Sequence, residues 1–243
     1  MESVYAQIAA LIMNCQPCVA LTGAGISAES GIPTFRSRGG LWEKFDPAVY
    51  ASIDVFRRDP SKYWSIRGEF IRNYDAYQPN AGHVALAELE AMGLLRHVIT
   101  QNIDGLHRKA GSRGLTEIHG SLREIFCVRC GKEYRAPNIP EGMPPLCECG
   151  GVLKPNTVLF GESLPAEAME AAWRESSSCR VMLVIGTSAV VQPAALLPRL
   201  AQEHGAAAIE VNIERAFSNA DHFLEGKAGT VLPKLVAGIQ KML

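Results

Sequence analysis

Two sets of residues in this chain have the types and spacing to do chemistry. Cys127, Cys130, Cys147 and Cys149 form two tight pairs, C-V-R-C and C-E-C, with sixteen residues between them. A C-x-x-C knuckle lets two thiolates face one ion, and four thiolates supply the tetrahedral soft shell that zinc prefers. Glycines follow each pair (Gly131, Gly150, Gly151), where the backbone has to turn. A fourth thiolate closes the position that an activated water would need, so the expected ion is one structural Zn2+ and not a catalytic one. Reduced or partly paired thiols in a loop are the alternative. The C-x-C spacing of the second pair leaves open whether both of its thiols bind equally.

The second set is Gly23-Ala24-Gly25-Ile26-Ser27-Ala28, directly after the apolar run "CVALT". This G-x-G-x-x-A is a degenerate dinucleotide fingerprint, in which glycines let backbone N–H groups approach a pyrophosphate. An ordinary fingerprint continues into a long helix and meets a ribose-binding acid about twenty residues on. Here Gly31-Ile32-Pro33 breaks any such helix, which argues against a plain hydride-transferring enzyme. Cys15-Gln-Pro-Cys18 has redox-motif spacing, but a helix precedes it and a strand follows, the reverse of the order that activates a thiol. It reads as a helix-to-strand turn, and Cys179 as a packed thiol entering a buried strand.

The elements that must position these groups alternate. Apolar residues at helical spacing from about Val4 to Met13 precede the strand "CVALTG". A helix over 81–93 precedes the strand "RHVIT", the short helix "IDGLHRKAG" and the strand "LTEIHG". Later come the strand "CRVMLVIGTS", the helix "PAALLPRLAQEHGA", the strand "AAIEVN" and a terminal helix over "TVLPKLVAGIQKML". Short apolar strands alternating with helices predict an α/β fold, a Rossmann-like parallel sheet covered on both faces. Residues 37–80 and 123–158 break the rhythm and read as insertions. The predicted organisation is a nucleotide-binding domain of 1–36, 81–122 and 159–243. A helical module (37–80) and a zinc ribbon (123–158) together form a smaller domain.

The bulk properties exclude little but do so consistently. A formal charge of −1 carries no signature of nucleic acid or anionic membrane binding. The longest strong apolar run, "VMLVIG" at 181–186, is strand-sized. The N-terminus lacks the basic n-region of a signal peptide and reads as an amphipathic helix. An odd count of seven cysteines with tight pairs suits a metal site in a reducing compartment. A cytoplasmic protein, monomeric or weakly oligomeric, is the expectation.

Longer motifs then carry a resemblance. "GAGISAESGIPTFR" (23–36), "GGLW" (39–42), "PNAGH" (79–83), "TQNIDGLH" (100–107) and "EIHG" (117–120) are joined by the four cysteines, "VLFGE" (158–162), "GTSAVVQPAA" (186–195) and "VNIE" (211–214). In this order and over nearly the whole chain, they resemble the sirtuins, NAD-dependent protein-lysine deacylases. The resemblance implies that NAD is a co-substrate. The acyl-lysine carbonyl oxygen attacks ribose C1′, nicotinamide leaves, and an alkylamidate forms. His119 then acts as general base for a ribose hydroxyl, giving free lysine and O-acyl-ADP-ribose. An imidazole that titrates near neutrality suits that task. Alone, His119 would read as a hydrogen-bonded histidine at a strand end.

By the same resemblance Asn102 and Asp104 join His119 in catalysis, holding ribose hydroxyls and the carboxamide. The NAD-binding set is Gly23, Ala24, Gly25, Ser27, Thr34, Phe35, Arg36, Trp42, Gln101, Asn102, Ile103, Asp104, Gly186, Thr187, Ser188, Asn212, Ile213, Glu214 and Ala228, with Arg36 as a diphosphate partner. Phe160, Gly161 and Glu162 with Val190 and Val191 form the two edges between which an acyl-lysine peptide adds as a strand. The break at Gly31-Ile32-Pro33 points to a mobile loop closing over NAD. His83 is expected to cap or pack near its helix, and His107 is given no catalytic step.

"GISAESGIPTFR" and Ala51 also resemble the subgroup that removes acidic acyl groups with a Tyr and an Arg three residues apart. A gapless alignment puts Arg67 and Phe70 at those positions, so the pair is absent. Arg67 is expected as a solvated or ion-paired surface arginine, the alternative being that it holds a carboxylate from a different angle; deacetylation, with longer apolar deacylation beside it, is expected to exceed desuccinylation. The rivals are a hydride oxidoreductase, a protein ADP-ribosyltransferase, a dominant desuccinylase, and a non-enzymatic zinc-ribbon interaction module.

Overall fold

The computed structural model describes residues 2–34 and 40–243, without the side chains of Glu2, Ser3 and Trp42. The main sheet has six parallel strands in the order β3-β2-β1-β7-β8-β9, and a second, antiparallel sheet has the order β5-β4-β6. In chain order these are β1 (Cys18–Thr22), β2 (His97–Thr100), β3 (Leu115–Glu117), β4 (Gly120–Cys127), β5 (Glu133–Arg135), β6 (Leu153–Thr157), β7 (Val181–Ile185), β8 (Ala207–Asn212) and β9 (His222–Glu225). The α/β expectation holds.

Period-two alternation explains the layers. Cys18 and Ala20 of β1, with Leu183 and Ile185 of β7, face Ile8, Leu86, Leu89, Leu232 and Leu235 from the helices Glu2–Asn14, Ala81–Ala91 and Ala228–Gln240. Val19 and Leu21, with Met182 and Val184, face the opposite way, onto Met169, Ala172, Leu197 and Ala201 of Ala166–Ser178 and Leu197–Glu203. Both faces are dry, which is why these strands are continuous apolar runs. Two elements of the parallel-sheet layers went unassigned in the sequence. The helix Ala166–Ser178 buries only Met169, Ala172 and Ser176, and β9 is four residues at the sheet edge.

A third core joins the two interrupting segments. Ile53, Phe56, Trp64 and Ile71 pack on Leu122, Ile125, Leu153, Cys127 and Cys147. The indole N–H of Trp64, fully buried, donates to the Leu153 carbonyl at 2.9 Å. The helices around 53–72 therefore share one apolar interior with the small sheet.

The order 3-2-1-7-8-9 reverses direction between β1 and β7. At such a switch point the connections leave to opposite sides, opening a crevice at the carboxyl ends of the strands.

Candidate active site

Backbone contacts bring the two loops of that crevice together. Gly23 N–H donates to the Ile185 carbonyl at 3.0 Å, and Gly25 N–H to the Gly186 carbonyl at 2.8 Å. A Cβ on Gly25 would lie 2.7 Å from the Gly186 Cα, and Gly186 itself has φ +56°. The loops after β1 and β7 touch at a distance no side chain fits, so backbone from both borders the cleft.

A cavity of about 1130 Å³ runs from this point to the small sheet. Among the sequence candidates, its walls carry Gly23, Ala24, Gly25, Thr34, Gln101, Asn102, Ile103, His119, Phe160, Gly161, Glu162, Gly186, Thr187, Ser188, Val191, Asn212, Ile213, Glu214 and Ala228. Val190 is exposed. Ser27 and Asp104 are buried side chains that join the site from below. Phe35, Arg36 and the side chain of Trp42 lie outside the described residues.

His119 stands at the junction of the two sheets. Its Nδ1 lies 2.8 Å from the Gln101 carbonyl oxygen. A carbonyl only accepts, so Nδ1 carries the proton, and in the neutral ring Nε2 is the basic nitrogen. The His119 carbonyl in turn accepts from Val158 N–H at 3.0 Å. Gln101 is itself fixed, its side chain donating to Thr187 Oγ1 at 2.9 Å. Asn102 donates through Nδ2 to the Gly23 carbonyl and to Ser27 Oγ, both at 3.1 Å, tying the loop after β2 to the glycine turn.

Beneath the cavity floor lies a buried polar network. Ser27 Oγ donates to Asp104 Oδ2 at 2.7 Å, and the other Asp104 oxygen accepts from Leu106 N–H at 2.9 Å. Burial pushes the Asp104 carboxyl up, against these donors. His83 does cap its helix, accepting from the Asn80 N–H, and its ring meets His107 edge-on at 4.9 Å between centroids. His107 contacts Thr22 Oγ1 at 2.9 Å. Burial lowers the His83 pKa from 6.5 to about 4 and drives His107 well down, with the neighbouring His83 adding to the effect.

The unfolded chain takes up protons on these histidines near pH 6.5, and the folded chain resists until lower pH. Stability present at neutral pH is therefore lost as pH falls from about 6.5 toward 4, by about 3 kcal/mol for His83. Asp104 opposes this, because its raised pKa favours the folded state as acid protonates it. Chemical denaturation at pH 7, 5.5 and 4.5 should show the fall, and His83→Gln should flatten it. An unchanged slope in that variant would refute the assignment.

Arg67, expected at the surface as a solvated or ion-paired arginine, is instead half-buried and lines the cavity beside Tyr63. Tyr63, Arg67 and Ile71 recur at i, i+4 and i+8 of the helix Pro60–Arg72, and Tyr63 and Ile71 face the core, so Arg67 is carried inward with them. Phe70 points elsewhere and stacks on Tyr77 at 4.6 Å. Glu29 and Lys227 also line the cavity and were missed. Glu29 accepts from Gly229 N–H at 2.8 Å, two hundred residues away, a pairing with no local signal. The Glu162 carboxylate is engaged by Lys154 Nζ at 3.0 Å and Leu159 N–H at 2.8 Å, so it locks the "LFGE" turn.

The four cysteine sulfurs all lie within 4.8 Å of one another. The Cys127–Cys149 and Cys130–Cys147 separations are 3.5 and 3.7 Å. A tetrahedron with Zn–S bonds of about 2.3 Å has edges of about 3.8 Å, so the donor set fits zinc in size and chemistry. A Cβ on Gly151 would lie 2.5 Å from Cys127 Sγ, which explains that glycine.

A model of the Sir2 family matches residues 23–193. The "NAD-dependent protein deacylase 2" of Pyrobaculum aerophilum is 50% identical over 242 residues, 97% of this chain and 96% of that protein. A Sir2 homologue variant solved with ADP-ribose is 43% identical and superposes with a TM-score of 0.91 over 97% of this chain and 96% of its own. A Sir2–p53 peptide–NAD+ complex gives 0.87 at 36% identity, covering 95% and 96%.

Proposed function

Since the chain belongs to the Sir2 family, we infer that it is an NAD-dependent protein-lysine deacylase. NAD supplies the electrophile, a ribose C1′ from which nicotinamide departs as the acyl-lysine carbonyl oxygen arrives. With one water consumed, the products are free lysine, nicotinamide and O-acyl-ADP-ribose. The observation that carries this reading is His119 on the wall of the cavity with its tautomer set by the Gln101 carbonyl. Nε2 then takes a ribose hydroxyl proton at physiological pH.

We assign the remaining roles as follows. Gly23, Ala24, Gly25, Gly186, Thr187 and Ser188 receive the dinucleotide, with Asn212 and Ala228 at its adenosine end. Asn102 orients the nicotinamide ribose, and Asp104 acts through Ser27. Phe160–Glu162 and Val190–Val191 flank the peptide, a turn and an exposed edge suited to strand addition. Protein or peptide acyl-lysine is the partner, NAD the co-substrate, and one structural Zn2+ holds the ribbon. The two-lobed division at 37–80 and 123–158 is supported by their shared core, with β4 crossing the second boundary. No helix among the described residues is long and apolar enough to cross a membrane. Thiolate ligation of zinc favours a reducing, cytoplasmic setting, and the near-neutral charge disfavours a nucleic-acid partner.

The test is a reaction with NAD and acetyl-, succinyl- and myristoyl-lysine peptides. Nicotinamide, deacylated peptide and O-acyl-ADP-ribose should appear in equal amounts, with acetyl ahead of succinyl. ADP-ribose attached to a peptide, or reduced nicotinamide, would overturn the reading. Succinyl turnover above acetyl would instead give Arg67 the carboxylate.

A further inference from the structure

Glu210 is a carboxylate with no solvent exposure, on β8 and outside the residues that line the cavity. A buried acid has to be compensated, and here the compensation comes from amide N–H groups. Oε1 accepts from Ala216 N–H at 2.7 Å and Phe217 N–H at 3.3 Å. Oε2 accepts from Phe217 N–H at 3.3 Å. Asn212 Nδ2 reaches Oε1 at 3.3 Å while also donating to the Thr187 carbonyl at 3.0 Å. The chain leaving β8 is thereby folded back on the strand it has just left. Ile213, Glu214, Arg215 and Ala216 become cavity wall, although Ile213 is 54% exposed.

We propose that Glu210 is a positioning residue for NAD. Its buried carboxylate moulds the 213–216 segment and the Asn212 amide into the surface that receives the adenosine half of the dinucleotide. The inference rests on the deacylase reading above, and it goes further in assigning a role to a residue that touches neither substrate. A purely structural role would lower stability without discriminating between substrates. A positioning role strikes NAD first, because the segment that Glu210 holds contributes none of the residues assigned to the peptide edges.

Calorimetric titration of ADP-ribose into the wild-type protein, Glu210→Ala and Glu210→Gln, with steady-state kinetics on each, separates the two. Loss of hydrogen bonds to a charged acceptor should weaken ADP-ribose binding by about tenfold to a hundredfold in Glu210→Ala. KM for NAD should rise in parallel, with KM for the acetyl-peptide and kcat at saturating NAD kept within about threefold. Glu210→Gln retains an acceptor oxygen and should recover part of the affinity. If Glu210→Ala does not fold, Ala216→Pro removes the 2.7 Å donor from the other side and should show the same NAD-selective defect. Folded variants that bind ADP-ribose as the wild type does, or that raise both KM values equally, would overturn the proposal. A wild-type protein that does not bind ADP-ribose would overturn the deacylase reading with it.

Discussion

His119→Ala should remove deacylation while leaving the dinucleotide site intact. The loss expected of a general base is about 10²- to 10⁴-fold in kcat. The fold should survive, because the ring is half-buried at the cavity wall and not in a core, and the glycine crevice is built from other residues. ADP-ribose should therefore bind the variant with close to wild-type affinity. His119→Asn is the sharper probe, since its amide can still reach the Gln101 carbonyl but offers no basic nitrogen. Turnover retained within tenfold in either variant would assign the proton to another group.

Zinc removal should act by a different route. Apparent zinc binding in small thiolate sites is worth about 10–16 kcal/mol, as much as the whole stability of many domains. Cys127 and Cys147 belong to the same core as Trp64, Leu122 and Leu153. Without the metal, that core loses its anchor and its four sulfurs revert to separate thiols that no bond holds together. Treatment with a strong chelator, or Cys147→Ser, should open residues 120–157 to protease and abolish activity. The parallel sheet, with its own two cores, should keep its secondary structure. Activity falls with the ribbon because the His119 carbonyl is pinned by Val158, directly after β6. Full activity in protein shown to be metal-free would rule this dependence out.

What the sequence made legible were features with local signatures. β1 and β7 are unbroken apolar runs, the cysteine spacing speaks for itself, and the break at Gly31-Ile32-Pro33 separated this turn from an ordinary fingerprint. Pairings across long separations were not legible. Glu29 with Gly229 and Asn102 with Gly23 depend on where the chain returns, which no window of sequence contains. Arg67 was misplaced for a reason that could have been seen. Charge suggested solvent, but its spacing from Tyr63 and Ile71 put it on the inward face of its helix. The helix Ala166–Ser178 went unassigned because three serines close it and only Met169 and Trp173 among its residues are large and apolar.

The hydrogen bond from Trp64 to Leu153 has a consequence for how such a protein can be altered. The helices near residue 64 and the ribbon near residue 153 are separated by most of the nucleotide site's first half, yet neither has an interior without the other. They form a single graft inserted at two places. A chimera that exchanges only one of them with a homologue would bring together two half-cores that never met, whereas exchanging both together preserves the seam.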